Sequence, residues 1–221
     1  MFRRKYAQMS ESYFLGVLLT MVGGFLDAHT YISRGNVFAN AQTGNIILWG
    51  LNLAEKNWTK AFHYMIPILA FVFGVFISEK IKSKFKHNSS IHWRQIVVGI
   101  EIIVLAIVSF IPPGNMNIIA NSAVSFVCSL QYDSFRRYTT TFCTGNLRIA
   151  TEQLFIYTHT KNTNARTKSI QTYGIIFFFI VGVVLGAFLT KVFIEKALLF
   201  NCALLIIIFC MMFIKEDNVK K

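Results

Sequence analysis

Charge is what this chain has least of. Only 14% of its 221 residues are charged, and only ten are acidic. A soluble domain carries about 25% charged residues, so a water-facing globule is excluded as the main body. Proline is scarce, with three in all. The four cysteines form no CxxC pair and stand at no metal-like spacing from histidine. Neither a disulfide framework nor a metal site is expected. Cys128, Cys202 and Cys210 lie in apolar runs, where a thiol behaves as a small hydrophobe. Also missing are a Walker loop, a dinucleotide fingerprint, an HExxH pair and a GxSxG elbow, so no cofactor is expected. An ATP-driven pump would need a nucleotide domain, for which the chain leaves no stretch.

What is present is hydrophobic: 54% of residues, including 22 Phe, beside a net charge of +12. In a membrane protein such a basic excess sits in cytoplasmic loops against anionic headgroups. The expected partners are therefore the lipid bilayer and a small solute, with no nucleic acid; homo-oligomers are left open. The basic stretch Met1 to Ser10 precedes an apolar run, as in a signal peptide. Further apolar segments follow it to the carboxyl end, so the first run reads as a retained signal-anchor helix.

One tripeptide occurs twice, Thr43-Gly44-Asn45 and Thr144-Gly145-Asn146, 101 residues apart. Phe38 to Asn45 aligns in register with Thr139 to Asn146, and the flanking apolar segments superimpose as well. A fixed offset that carries whole segments is the mark of an internal repeat. The chain reads as a single membrane domain, 1–221, made of repeats at about 11–112 and 113–214. Six spans are expected, near 13–31, 61–78, 96–111, 116–130, 170–189 and 197–214. Each motif opens a short, half-polar helix, the first covering about half of a hydrocarbon core of about 30 Å. The stretches Lys80 to Gln95 and Thr158 to Ser169 read as basic loops.

Charge counting sets the topology. If the motif helices do not cross, 17 basic residues fall on the amino-terminal side and 5 on the other. If both cross, the split is 11 against 11 and all bias vanishes. The positive-inside rule then selects six spans with both termini cytoplasmic. Three spans per repeat is an odd number, so the repeats are expected to be inverted. The fold class expected is thus all-α integral membrane, with six transmembrane helices and two re-entrant or half-helices. That architecture is used by many secondary transporters.

The motif chemistry follows from helix ends. A first helical turn carries four unpartnered N–H groups and a partial positive charge. Thr or Asn can cap it, and Gly lets a ligand or backbone approach. Two such ends meeting at mid-membrane would suit an anion or carboxylate group. The candidate solute-binding residues are Asp27, Thr43, Gly44, Asn45, Gln131, Thr144, Gly145, Asn146 and Arg148. Asp27 is costly in an apolar segment. It can serve a cation or proton, pair with Arg148 or His29, or accept from backbone N–H groups. Gln131 falls in the corresponding region of the second repeat. Arg148 and Glu152, four apart, are set for a local ion pair. Glu101 is placed one to two turns into its helix, near the interface, facing inward or paired with a loop, with proton coupling as a further role to weigh; His63 is likewise near a helix entrance and reads as interfacial.

The combination Gly24-Phe25-Leu26-Asp27-Ala28, Phe38, Thr43-Gly44-Asn45, Gln131 and Thr144-Gly145-Asn146 resembles the YoaK-like bacterial membrane proteins, a family of unknown function. The resemblance covers about residues 10 to 214. Where that family has a Gln-Asn pair, this chain has Gln131-Tyr132. The resemblance implies a multi-spanning protein of the bacterial inner membrane and supplies no substrate. A small secondary transporter or facilitator is the function expected, not an enzyme. The alternatives are a membrane enzyme using Asp27, Glu101 and His29, or a scaffold without transport.

Overall fold

A computed structural model describes residues 12–86, 92–135 and 143–213. The basic stretch Met1 to Ser10, Arg136, Arg137 and the residues aligned with Phe38 to Gln42 lie outside the described residues, except for Cys143. Among the described residues there are eight α-helices and no strand. They are α1 (Tyr13–Ser33), α2 (Gln42–Ala54), α3 (Trp58–Phe85), α4 (Trp93–Val108), α5 (Asn117–Ser134), α6 (Cys143–Thr160), α7 (Thr163–Phe193) and α8 (Leu198–Met211), with a 3-10 turn, Ile194–Ala197, joining the last two.

Three stretches are long and apolar enough to cross a membrane: α1, α3 and the run from α7 through α8. At 1.5 Å per residue α1 is ~31 Å long, α3 ~42 Å and α7 ~46 Å. α4 and α5, at ~24 and ~27 Å, are shorter but lie in the apolar core. That core is built from α1, α4, α5 and α8, which contribute Leu19, Leu26, Val97, Leu105, Val124, Leu130, Leu205 and Ile208. α3 and α7 flank it. Each presents exposed apolar residues at helical spacing, such as Leu69, Val72, Phe73 and Phe76 on α3 and Phe177, Ile180, Val184 and Phe188 on α7. In water such faces would have to be covered; in lipid they are the natural exterior.

Two expected loops are largely helix. α3 runs on through Lys80, Lys82 and Lys84 to Phe85, and α4 begins at Trp93, before Gln95. Lys is a good helix former, and Lys82 pairs with Glu79 at 3.1 Å. His92 caps α4 in a box with Gln95, a use of histidine that residue preferences do not announce. Likewise α6 extends to Thr160 and α7 starts at Thr163, so only Lys161 and Asn162 join them. The Asn162 side chain accepts from the Asn164 and Ala165 N–H groups, which starts α7 at once. Hydropathy measures the part of a helix that lipid covers, and these helices outrun it.

Two long contacts organise the bundle: α1 packs along α7, and α3 along α5. Both rely on missing side chains. A Cβ on Gly24 would collide with the Phe179 carbonyl oxygen, one on Gly182 with that of Met21 and one on Gly186 with that of Phe25. At the second contact, a Cβ on Gly74 would strike Ser129 Oγ and the Phe126 carbonyl oxygen. Small residues let membrane helices approach backbone to backbone. Small polar pairs add to them, His29 Nδ1 with Thr190 Oγ1 at 3.1 Å and Ser78 Oγ with Ser134 Oγ at 3.2 Å. α2 packs on α3 and α6 on α7.

Gly182→Ala should therefore destabilise the protein by about 2 kcal/mol, in the range of overpacked cores. Gly99→Ala, whose methyl would meet open space, should be neutral or gain up to about 1 kcal/mol from helix propensity. Thermal melts in detergent compare them; equal melting temperatures would contradict the close α1–α7 contact.

Candidate functional site

The first motif is held by side chains, not by a cap of its own. Between α1 and α2 the chain leaves helical geometry, and the freed N–H groups of Phe38, Ala39, Asn40 and Ala41 each find a side chain. Asn45 Oδ1 accepts from Phe38 at 2.9 Å, Thr30 Oγ1 from Ala39 at 3.1 Å, and Asp27 Oδ1 from Asn40 and Ala41 at 2.7 and 3.1 Å. Asp27 and Thr30 stand three apart on α1, hence on one face. Asn45 completes the turn by donating from Nδ2 to the Phe38 carbonyl oxygen at 2.6 Å and to Gln42 Oε1 at 3.0 Å. A Cβ at Gly44 would stand 2.7 Å from the Phe38 ring, so the glycine admits that ring.

Both copies of the motif show one burial pattern. Thr43 and Thr144 are exposed, Gly44 and Gly145 half-buried, Asn45 and Asn146 buried. The first turn of α6 begins at Cys143, and the Asp27 carboxylate lies within electrostatic reach of the Cys143 thiol. Asp27 also acts on Cys128 of α5, as does Glu101 of α4. Asp27 thus holds the start of α2 by hydrogen bonds and reaches the start of α6 through its field alone, and the bodies of α2 and α6 pack on different neighbours.

The interior nearby is rich in polar atoms without partners. Gln131 donates from Nε2 to the Leu19 carbonyl oxygen at 3.1 Å, and its Oε1 is buried without a partner. Asn40 Oδ1, Asn121 Oδ1 and Ser125 Oγ are in the same condition. Arg34, fully buried at the end of α1, donates from Nη2 to the Ile111 carbonyl oxygen at 2.6 Å and to that of Val108 at 3.4 Å. Its Nε and Nη1 have no partner. Burial draws its pKa below the usual value, and Glu195 opposes the shift. Among the described residues no group of His, Cys, Asp and Glu could hold a metal ion.

A family described as "Protein of unknown function (DUF1275)" matches residues 15–211. The chain belongs to the DUF1275 family. It is similar to the UPF0700 transmembrane protein YoaK of Bacillus subtilis (strain 168), at 33% identity over 67 residues. That stretch is 30% of this chain and 30% of YoaK. No solved structure matches. The YoaK-like resemblance read from the paired motif is confirmed, and this DUF1275 chain is a membrane protein.

Arg148 is exposed and forms the ion pair with Glu152 that its spacing announces, at 3.0 Å, beside a shallow crevice on α6 lined by Leu147, Thr151 and Phe155. Other side chains lie elsewhere than expected. Asp27 contacts neither Arg148 nor His29; of the partners considered for it, backbone N–H groups are the ones it holds. His29 bridges instead to Thr190 and Ser33. Glu101 faces inward as expected but is not interfacial: it is the ninth of sixteen residues in α4 and wholly buried. Sequence reasoning missed Arg34, read as part of a turn, and Asn121 and Asn201. Two asparagines inside apolar runs were the available signal.

In this DUF1275 chain Asn45→Asp should be more damaging than Asp27→Asn. The first change removes two donors and sets a charge against the Phe38 carbonyl oxygen, for a loss of about 3 kcal/mol. The second leaves an oxygen able to accept from Asn40, and should cost about 1–2 kcal/mol. Yield of monodisperse protein from membranes, followed by thermal melts, gives the order.

Proposed function

We propose that this protein is a small secondary transporter or facilitator, with two inverted three-span repeats whose motif helices meet at a shared solute site. It would lie in the bacterial inner membrane with both termini cytoplasmic. The observation that carries the reading is Asp27, which holds the start of α2 and reaches that of α6 through its field, deep in a core of unpartnered polar atoms. In lipid, non-helical backbone at such depth is tolerated only inside protein or along a cavity.

The contacts support the repeat. Exchanging α1–α4 for α5–α8 turns the α1–α7 pair into α5–α3, α2–α3 into α6–α7 and α4–α5 into α8–α1, all of which are in contact. The details follow the same exchange. Gly186 abuts the Phe25 carbonyl and Gly74 that of Phe126, and the two phenylalanines are 101 apart. Gly74 and Gly186 are 112 apart, as are Ser78 and Thr190 in the polar pairs. The extra residues fall between the motif and the following long helix, where α6 is longer than α2.

At the first motif Asp27 occupies the place an anion would take. An anionic solute group is therefore assigned to the second half-helix, beside Thr144 and Gly145, with Thr43 and the Gln131 Oε1 as further polar contacts. The enzyme reading has less to stand on, because Asp27 and His29 are committed to structural hydrogen bonds.

Topology and convergence are testable together. Single cysteines at Asn57 and Pro113 should react with an impermeant thiol reagent from outside, and those at Ser83 and Asn164 should not. With Cys128, Cys202 and Cys210 replaced by serine, Ala41→Cys should cross-link to Cys143 through a short bifunctional maleimide. Labelling of Ser83→Cys from outside would defeat the six-span arrangement, and absent cross-linking would defeat the shared site.

The activity is sought in a deletion strain screened for growth on organic acids, inorganic anions and drugs. Wild-type protein should restore the altered trait. Asp27→Asn at equal membrane level should lower uptake of the solute found by about tenfold, equivalent to about 1.4 kcal/mol. Full uptake by that variant would leave Asp27 a structural residue.

A further inference from the structure

Deeper in the core than the motif lies an acid that the transport reading leaves without a task. Glu101 stands about 12 Å along α4, near the middle of that helix. It is wholly buried, and neither carboxyl oxygen has a hydrogen-bond partner. The titratable groups around it are thiols and one acid. α5 presents Cys128, on which both Glu101 and Asp27 of α1 act. α8 presents Cys202, whose Sγ lies 3.7 Å from the carbonyl oxygen of Ile102, and Glu101 acts on this thiol too. α3 adds only Ile77, Ile81 and Phe85 to this core. None of these groups is basic. An isolated carboxylate in hydrocarbon costs several kcal/mol or more, and no counter-charge here offsets it. In this conformation Glu101 is a carboxylic acid.

A route to it is marked on α5. Asn121, Ser125 and Cys128 stand at i, i+4 and i+7, hence on one face of the helix, and all are buried. Asn121 Nδ2 donates to the Arg34 carbonyl oxygen at 2.9 Å, where α1 ends. Its Oδ1, the Ser125 Oγ and two nitrogens of Arg34 are buried without partners. The seam thus leads from the Arg34 end of the bundle to Cys128, beside Glu101, about 10 Å along α5. Hydrophobic side chains would fill such positions at lower cost if packing were their purpose.

We propose that Glu101 is the proton-binding residue that couples this transporter to the proton gradient, reached along the Asn121–Ser125 face of α5. One proton passes from water to the carboxylate on one side and leaves to water on the other, with no other bond made or broken. The inference rests on the transport reading for the coupling alone, since proton exchange at Glu101 can be observed without a solute.

The experiment is an infrared titration of the purified protein in a lipid film, stepped from acid to alkaline buffer. Wild type should show the carbonyl-stretch band of a buried protonated carboxyl at acid pH and lose it on alkalinisation. Glu101→Gln, shaped like the protonated acid, should lack that band throughout. Glu101→Asp should restore a titrating band at a shifted frequency, which guards against a folding defect in the first variant. Identical spectra for wild type and Glu101→Gln would overturn the proposal. So would a Glu101 band that persists unchanged at every pH, because a group that never releases its proton couples nothing. Failure of the solute screen alongside a titrating band would count against the transport reading and spare the proton site.

Discussion

The contact on which the rest depends is one carboxylate oxygen, Asp27 Oδ1, accepting from the N–H groups of Asn40 and Ala41. A chain that stops being helical inside an apolar core exposes backbone polar groups that lipid cannot satisfy. Here four successive N–H groups are met by Asn45, Thr30 and Asp27, two of them from α1. The Asp27 carboxyl accepts twice and lies at the positive end of α2, which favours its charged form. With it in place, α2 can begin within the bundle and run outward along α3. Without it, the crossover from α1 would have to move to water, and the first motif would leave the interior.

The close helix contacts are the second condition. Glycine on α7 and α3 brings backbone against backbone, so that α1 and α5 sit pressed between their neighbours and the core helices. Close approach raises the cost of any unpaired polar atom caught between helices. It is therefore notable in energy terms that this core keeps Glu101, Asn121, Ser125 and Asn201 with unpartnered atoms. Each such atom costs about 1–3 kcal/mol, so packing alone does not account for their number.

The sequence made some of this legible and hid the rest for physical reasons. The motif pair, the Asp27 position and the α-helical membrane class can be read directly, because repetition and hydropathy are local signals. The starts of α4 and α7 were hidden, since a His92 cap and a two-residue Lys161-Asn162 joint carry little compositional mark. The depth of Glu101 was misplaced by counting from the apolar run, whereas α4 begins three residues earlier, at Trp93. Arg34 looked like a turn residue because its neighbours Gly35 and Asn36 do have positive φ. Its burial depends on carbonyls 74 and 77 residues away, which no window along the chain can see.

The two halves also differ where it matters chemically. In the register of the motif, Asp27 corresponds to Cys128, 101 residues on. That acid lies within electrostatic reach of its own counterpart. Under the proposed pseudo-twofold arrangement, residues that meet their own equivalents lie close to its axis. Acids on both sides of such an axis would repel and would have to share protons. Replacing one of the pair by a small thiol keeps the space filled while leaving a single acid there. In the proposed repeat, the glycine contacts are kept in both halves, whereas the acid at Asp27 gives way to a thiol at Cys128, so the symmetry needed for packing is given up at the charge.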